Sequence, residues 1–444
     1  MPTKKLHSSW NFGDFGRAIK IYGIANLISQ ASGFVTFPLI SRKLGNDSFG
    51  SFDYTITIIA FLTTIAIFGI DSSLSRFNLD QGDVNGRRKL LNTCLFLVSC
   101  FALLETGIFT LLRNFFPNLI GSSDHSINVL IFFLMVWGGS INHICLTYYR
   151  YNDLEKNYLV SIFLQTILIL SNVYYWFHFS DNEKTAHNYL ATYSVILAFM
   201  AVYNCAKAKV SLRCEITLLR IKKIITYAYP IALSSVLAFS LDPIYRSYIK
   251  LNISEMVLGM FAVAVKIGTV LVFCGKTLNL AYGPIMFKAF QQTEFSSLKR
   301  KLDFNFNFIL FAVFLGLNFF CENLIHILAG NQFLNAKQMA YTVFYGLFLK
   351  SVTSRMVILF DLHKITKFHL VNFSVKFLFG LITIVMFPSD IFVNKVEGAV
   401  IASEWSSCLC SVLILKSNRK ITFNLKNDAF FLASSSVTYI LFRF

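Results

Sequence analysis

Twelve apolar stretches, each close to the length of a bilayer crossing, follow one another along the chain and restrict its fold more than any other feature. They lie near 18–40, 53–73, 90–112, 126–148, 157–178, 188–206, 224–245, 255–275, 302–321, 338–360, 369–388 and 398–415. A hydrocarbon core about 30 Å thick takes roughly 20 residues of helix. A thirteenth run at 429–442 is shorter and carries Ser434, Ser435 and Ser436; it is expected to lie in the interface or to span poorly. Of the 444 residues, 55% are hydrophobic and 14% charged, against about 25% charged in a soluble protein. With 48 Phe and only 7 Pro, the composition suits long helices whose backbone groups bond within their own segment. A soluble enzyme, a disulfide scaffold and a disordered chain are all excluded. The expectation is an all-α polytopic membrane protein.

Charge in the connecting segments sets the orientation, because Lys and Arg stay on the cytoplasmic side. The N-terminus has no short apolar core followed by a cleavage site, so it reads as a cytoplasmic tail carrying Lys4 and Lys5. With that end inside, the inside segments collect Arg87, Arg88, Lys89, Arg150, Lys156 and Lys207. They also collect Lys222, Lys223, Lys299, Arg300, Lys301, Lys416 and Arg419. The net charge of +17 is thus mainly a topology signal, and nucleic acid is not an expected partner. The 9 cysteines show no metal spacing and read as small packing residues.

The chain also resembles itself. LGNDSFGSF at 44–52 matches LNISEMVLGMF at 251–261, pairing Gly50 with Gly259. RKL at 88–90 recurs at 300–302, NLI at 118–120 recurs at 323–325, and KNYLVS at 156–161 matches KFHLVN at 367–372. The order and near-constant offset predict a duplicated six-helix unit. An even number of spans makes the copies parallel, with a substrate expected between them. The division is 1–206 for the first bundle, 207–223 for a cytoplasmic linker and 224–416 for the second bundle. A basic segment with the short apolar run fills 417–444.

Charges deep in a span cost at least about 2.5–3.5 kcal/mol and mark a partner or a wet cavity. Lys266, Lys350, Arg355 and Lys376 in the second half predict a cationic cavity suited to an anion, held by point charges. Glu105, Glu404, Asp71 and Asp242 are candidates for coupling to a proton or sodium gradient. Snorkelling alone explains Arg76, Arg246 and Arg355 near interfaces equally well, and His143 reads as a packing histidine. No phosphate-binding glycine loop, metal motif or nucleophile elbow is present, so no cofactor or enzyme chemistry is expected.

The succession PLISRKLGNDSFGSFDY at 38–54, FGIDSSLSRF at 68–77, RRKLL at 87–91, YGPIMFKAF at 282–290 and LKRKL at 298–302 resembles the Wzx-type lipid-linked oligosaccharide flippases. These belong to the multidrug/oligosaccharidyl-lipid/polysaccharide exporter superfamily. The resemblance implies about twelve helices in two parallel-repeat six-helix bundles forming a V, with a cytoplasmic N-terminus. It implies a polyprenyl-pyrophosphate-linked O-antigen or capsule unit as substrate, in the bacterial inner membrane beside membrane lipid and the O-antigen polymerase machinery. Arg42, Asp71 and Arg76 fall inside family-like motifs, so Arg42 and Arg76 join the substrate-binding candidates. The peptidoglycan-precursor branch has fourteen helices, more than this chain offers. The alternatives are a multidrug exporter of the same superfamily, whose substrates are usually cationic, and an O-antigen polymerase, which needs a large outside loop.

Overall fold

The structure is a computed structural model that describes residues 12–78, 80–81, 83–115, 128–152, 154–179, 185–210, 216–289, 295–362, 367–386, 392–417 and 425–443. Lys4, Lys5, Cys214, Arg419 and the NLI run at 118–120 lie outside the described residues. What is described is helix joined by turns, with no strand.

Helix α1 spans Phe12–Ile67 and holds the first two apolar stretches, because it turns at Gly45, whose φ of 71° lies in the left-handed region. The Phe37 and Phe49 rings, which a straight helix would set about 18 Å apart along its axis, have centroids 5.8 Å apart. The second stretch stops at Ile67, short of the expected 73. Phe68 and Gly69 both take positive φ, and the chain restarts as the short helix α2, Ile70–Asn78.

The first half continues with α3 (Val84–Phe115), α4 (Val129–Tyr151), α5 (Glu155–Tyr174) and α6 (Thr185–Lys207). The second half holds α7 (Leu218–Asn252), α8 (Glu255–Ala289), α9 (Phe295–Phe319) and the short α10 (Cys321–Leu328). It then runs through α11 (Lys337–Leu362), α12 (Lys367–Met386), α13 (Phe392–Ser417) and α14 (Leu425–Arg443). Eleven of the described helices are long and apolar enough to cross a membrane, α1 counting once among them. Packing in the halves corresponds: α4 lies on α6 as α11 lies on α13, and α1 lies on α4 as α8 lies on α11.

Helix α14 is the thirteenth run; it is not among the described helices long and apolar enough to cross a membrane, and it packs firmly on α9 and α11. Asp428 near its start accepts a hydrogen bond from Asn307 of α9 at 2.7 Å and pairs with Arg355 of α11. Near its other end Tyr439 stacks on Tyr345 at 4.9 Å, and Arg443 donates to Glu397 of α13 at 2.7 Å. From Arg355 to Thr342, which meets the Tyr439 hydroxyl at 3.3 Å, α11 rises about 20 Å. Helix α14 follows it over that depth. Serines did not keep it at the surface, because Ser435 and Ser436 bond back to the Leu432 carbonyl at 2.9 and 2.8 Å.

The two ends of the bundle differ. At the basic end, Ser73 donates to the Ile224 carbonyl at 3.1 Å and Arg87 to Asn152 at 3.2 Å. At the Gly45 end, Asn46 donates to the Gln332 carbonyl at 2.8 Å and Ser51 to Glu255 at 2.7 Å. There Gly50 packs directly on Gly259. A Cβ on Gly259 would stand 2.1 Å from the Asn46 carbonyl oxygen, and one on Gly50 would stand 2.6 Å from the Gly259 nitrogen. The two glycines therefore meet face to face and clamp α1 against α8.

Candidate functional site

Between the halves lies a cavity of about 460 Å³ lined by α1, α7, α8, α11, α12 and α13. Its charged wall comprises Asp53, Asp242, Arg246, Lys266, Lys350, Lys376 and Glu404. A second cavity of about 490 Å³ adjoins it on the first half's side, sharing Ile56, Ala60, Thr64 and Phe239 with it.

The cations are not equivalent. Lys376 donates to Glu404 at 2.6 Å, and both are buried. Arg246 is also buried; its Nε and Nη2 donate to Asp53 Oδ2 at 3.1 and 3.0 Å, while its Nη1 pairs with Asp242. Snorkelling therefore does not describe Arg246. Lys266 Nζ lies 3.4 Å from Asp53 Oδ1, its side chain still 43% exposed. Lys350 is exposed to the cavity and, among the described residues, forms no ion pair within 4.0 Å. It is the cation left for a ligand.

Three expected substrate-binding residues lie elsewhere. Arg355 is wholly buried between Asp303 and Asp428, a structural knot joining α9, α11 and α14, because two carboxylates hold it away from the cavity. Arg42 sits at the Gly45 end, where its Nη2 donates to the Ile327 carbonyl at 2.5 Å, satisfying an acceptor left free at the end of α10. Arg76 pairs with Asp80 one helical turn on, at 3.2 Å, half exposed at the basic end. Charge and depth drew attention to all three, but helix rotation decided their place.

The acidic candidates divide in the same way. Asp242 and Glu404 line the main cavity, already paired with Arg246 and Lys376. Asp71 lines the adjoining cavity with its Oδ2 3.3 Å from His143 Nε2, so His143 is a half-exposed wall residue rather than a core one. Glu105 lines neither cavity; it is buried on α3 with both carboxylate oxygens unpartnered among the described residues.

Asp53 was not expected. It is 3% exposed and the main counter-charge of the site. Its position at the first residue of the second apolar stretch made it read as a boundary group. The signal available was its place in the FDY of the 38–54 motif, one turn beyond Gly50. Among the described residues no cluster of three or more His, Cys, Asp or Glu side chains could hold a metal ion.

Residues 15–290 match the family described as polysaccharide biosynthesis protein. The Lsg locus putative protein 1 of Haemophilus influenzae is 22% identical over 355 residues, covering 75% of this chain and 80% of that one. In structure, the lipid II flippase MurJ in an inward closed conformation superposes with a TM-score of 0.72 at 14% identity, covering 95% of this chain and 91% of that one. An inward-facing multidrug resistance MATE family transporter of the MOP superfamily gives 0.67 at 10% identity, covering 94% and 95%. These structural relatives are a flippase and a transporter, not enzymes. The family match spans more than half the chain. This multi-pass membrane protein belongs to the polysaccharide biosynthesis protein family and shares its fold with the MurJ and MATE structures.

Proposed function

We propose that the chain moves polyprenyl-pyrophosphate-linked oligosaccharide units, of the O-antigen or capsule type, from the cytoplasmic to the periplasmic leaflet of the inner membrane. The observation that carries this reading is the cavity itself: four basic side chains against three carboxylates, with Lys350 uncompensated. A net positive cavity of this size suits a pyrophosphate with its first sugars. It disfavours the cationic substrates of a multidrug exporter.

In this reading the basic end faces the cytoplasm and the glycine clamp closes the periplasmic end. The head group enters between the halves, Lys350 and Lys266 take the pyrophosphate, and the prenyl tail stays in lipid. Rocking the halves so that the clamp parts then exposes the cavity to the other side. Asp71 with His143, and Glu404 and Asp242, are the cavity groups through which a proton or sodium gradient would act.

The test is to delete the gene in its host, extract the lipid-linked oligosaccharides and assay which membrane face they occupy. Accumulation on the cytoplasmic face with loss of surface polysaccharide is the expected result. Oligosaccharide reaching the outer face at normal length would refute the proposal. Short unpolymerised units there would point to a polymerase, and unchanged glycans with new drug sensitivity to an exporter.

A further inference from the structure

Asp53 is the one carboxylate that reaches across the cavity from the first half, on α1, to cations on both α7 and α8 of the second. It touches Arg246 at 3.0 Å and Lys266 at 3.4 Å. Arg246 is also held by Asp242 on its own helix, so it does not depend on Asp53 for a counter-charge. Lys266 does, because no other carboxylate lies within 4.0 Å of it among the described residues. Asp53 also lies next to the clamp, one turn from Gly50.

The geometry points to Asp53 as a resident counter-anion, a tethered stand-in that holds Lys266 until a substrate diphosphate displaces it and so frees the clamp. The inference rests on the diphosphate reading above and adds a residue that sets both affinity and the timing of opening. A diphosphate arriving at Lys350 brings several acceptor oxygens within reach of Lys266, whose half-exposed side chain can turn to it. Losing that contact removes one of the ion pairs joining the halves. Asp53 keeps Arg246 at 3.0 Å, so nothing buried is left uncompensated, and the exchange costs little. Binding and opening are then linked through one carboxylate.

The experiment uses the full chain in lipid nanodiscs with Asn46→Cys and Gln332→Cys across the clamp. Disulfide trapping between them is read by peptide mass spectrometry. Geranylgeranyl diphosphate is the probe. Trapping is expected to be fast without the probe and several-fold slower with it. Asp53→Asn is expected to slow trapping without any probe, to remove the further response, and to bind the probe about two- to fivefold tighter, the range of one partly exposed ion pair. Asp53→Glu should restore the parental behaviour, which a merely folding-impaired Asp53→Asn would not allow one to mistake. Unchanged trapping and affinity in Asp53→Asn, or weaker binding, would overturn the exchange alone. Failure of the parental chain to bind the probe would overturn the diphosphate reading and the exchange with it.

Discussion

Lys350 and Arg355 lie on the same helix and do opposite work. Lys350 faces the cavity without an ion-pair partner among the described residues, whereas Arg355 is 1% exposed between two carboxylates. Lys350→Ala should therefore lower transport about tenfold or more, the loss of a charged hydrogen bond worth about 1.5–3 kcal/mol, with membrane abundance unchanged; intact transport would remove it from the site. Arg355→Ala leaves Asp428 without a cation among the described residues, while Asp303 keeps Lys299, and should destabilise the fold by about 3–5 kcal/mol. That loss would appear as a lower melting temperature in detergent before any effect on the substrate. Glu105 gives the reverse case. Both its oxygens are buried without a donor, so Glu105→Leu should raise stability by about 1–3 kcal/mol, and a drop in melting temperature would show a missing partner. From the sequence, charge and depth were enough to single out these residues. Which of them meet was not legible, since a rotation of a helix by a third of a turn separates a cavity lysine from a buried one.

At the scale of elements, the apolar stretches fixed the number and order of the crossings, and their interruptions fixed less. The expected loop at 41–52 turned out to be helical on both sides of one glycine, because only Gly45 leaves the right-handed region. The second crossing ended early because Phe68 and Gly69 break it, which moved Asp71 and Arg76 onto a separate short helix. Where helix α14 packs was not legible, because the partners of Asp428 on α9 and α11 could not be seen from one sequence. Replacing Gly259 by Val should be severe. Its Cβ alone would sit 2.1 Å from a backbone oxygen, so the clamp must part, at about 1–3 kcal/mol for overpacking. The trapping rate between cysteines at 46 and 332 should fall, and transport with it. A chain ending after Ser417 should lose folded abundance in the membrane, because Arg355 would keep only one of its two carboxylates.

For the whole molecule, the relevant quantity is charge moved across the membrane. An inside-negative potential favours outward passage of an anion by about 2.3 kcal/mol per charge per 100 mV, so collapsing the potential with valinomycin and potassium should slow transport in inverted vesicles. A rate indifferent to the potential would shift the drive to an ion gradient acting through carboxylates. The broad architecture was legible because hydropathy reports on the membrane, which acts on every residue of a crossing. The cavity was only half legible. Its net charge depends on Asp53, which is set by how one half leans on the other.

The contact between Gly50 and Gly259 carries a symmetry argument as well as a mechanical one. Corresponding positions of two like halves touch each other only where the axis relating them passes, which is the defining property of an isologous dimer contact. On the proposed duplication the two glycines are one position met twice, and a Cβ added to either strikes backbone of the opposite half.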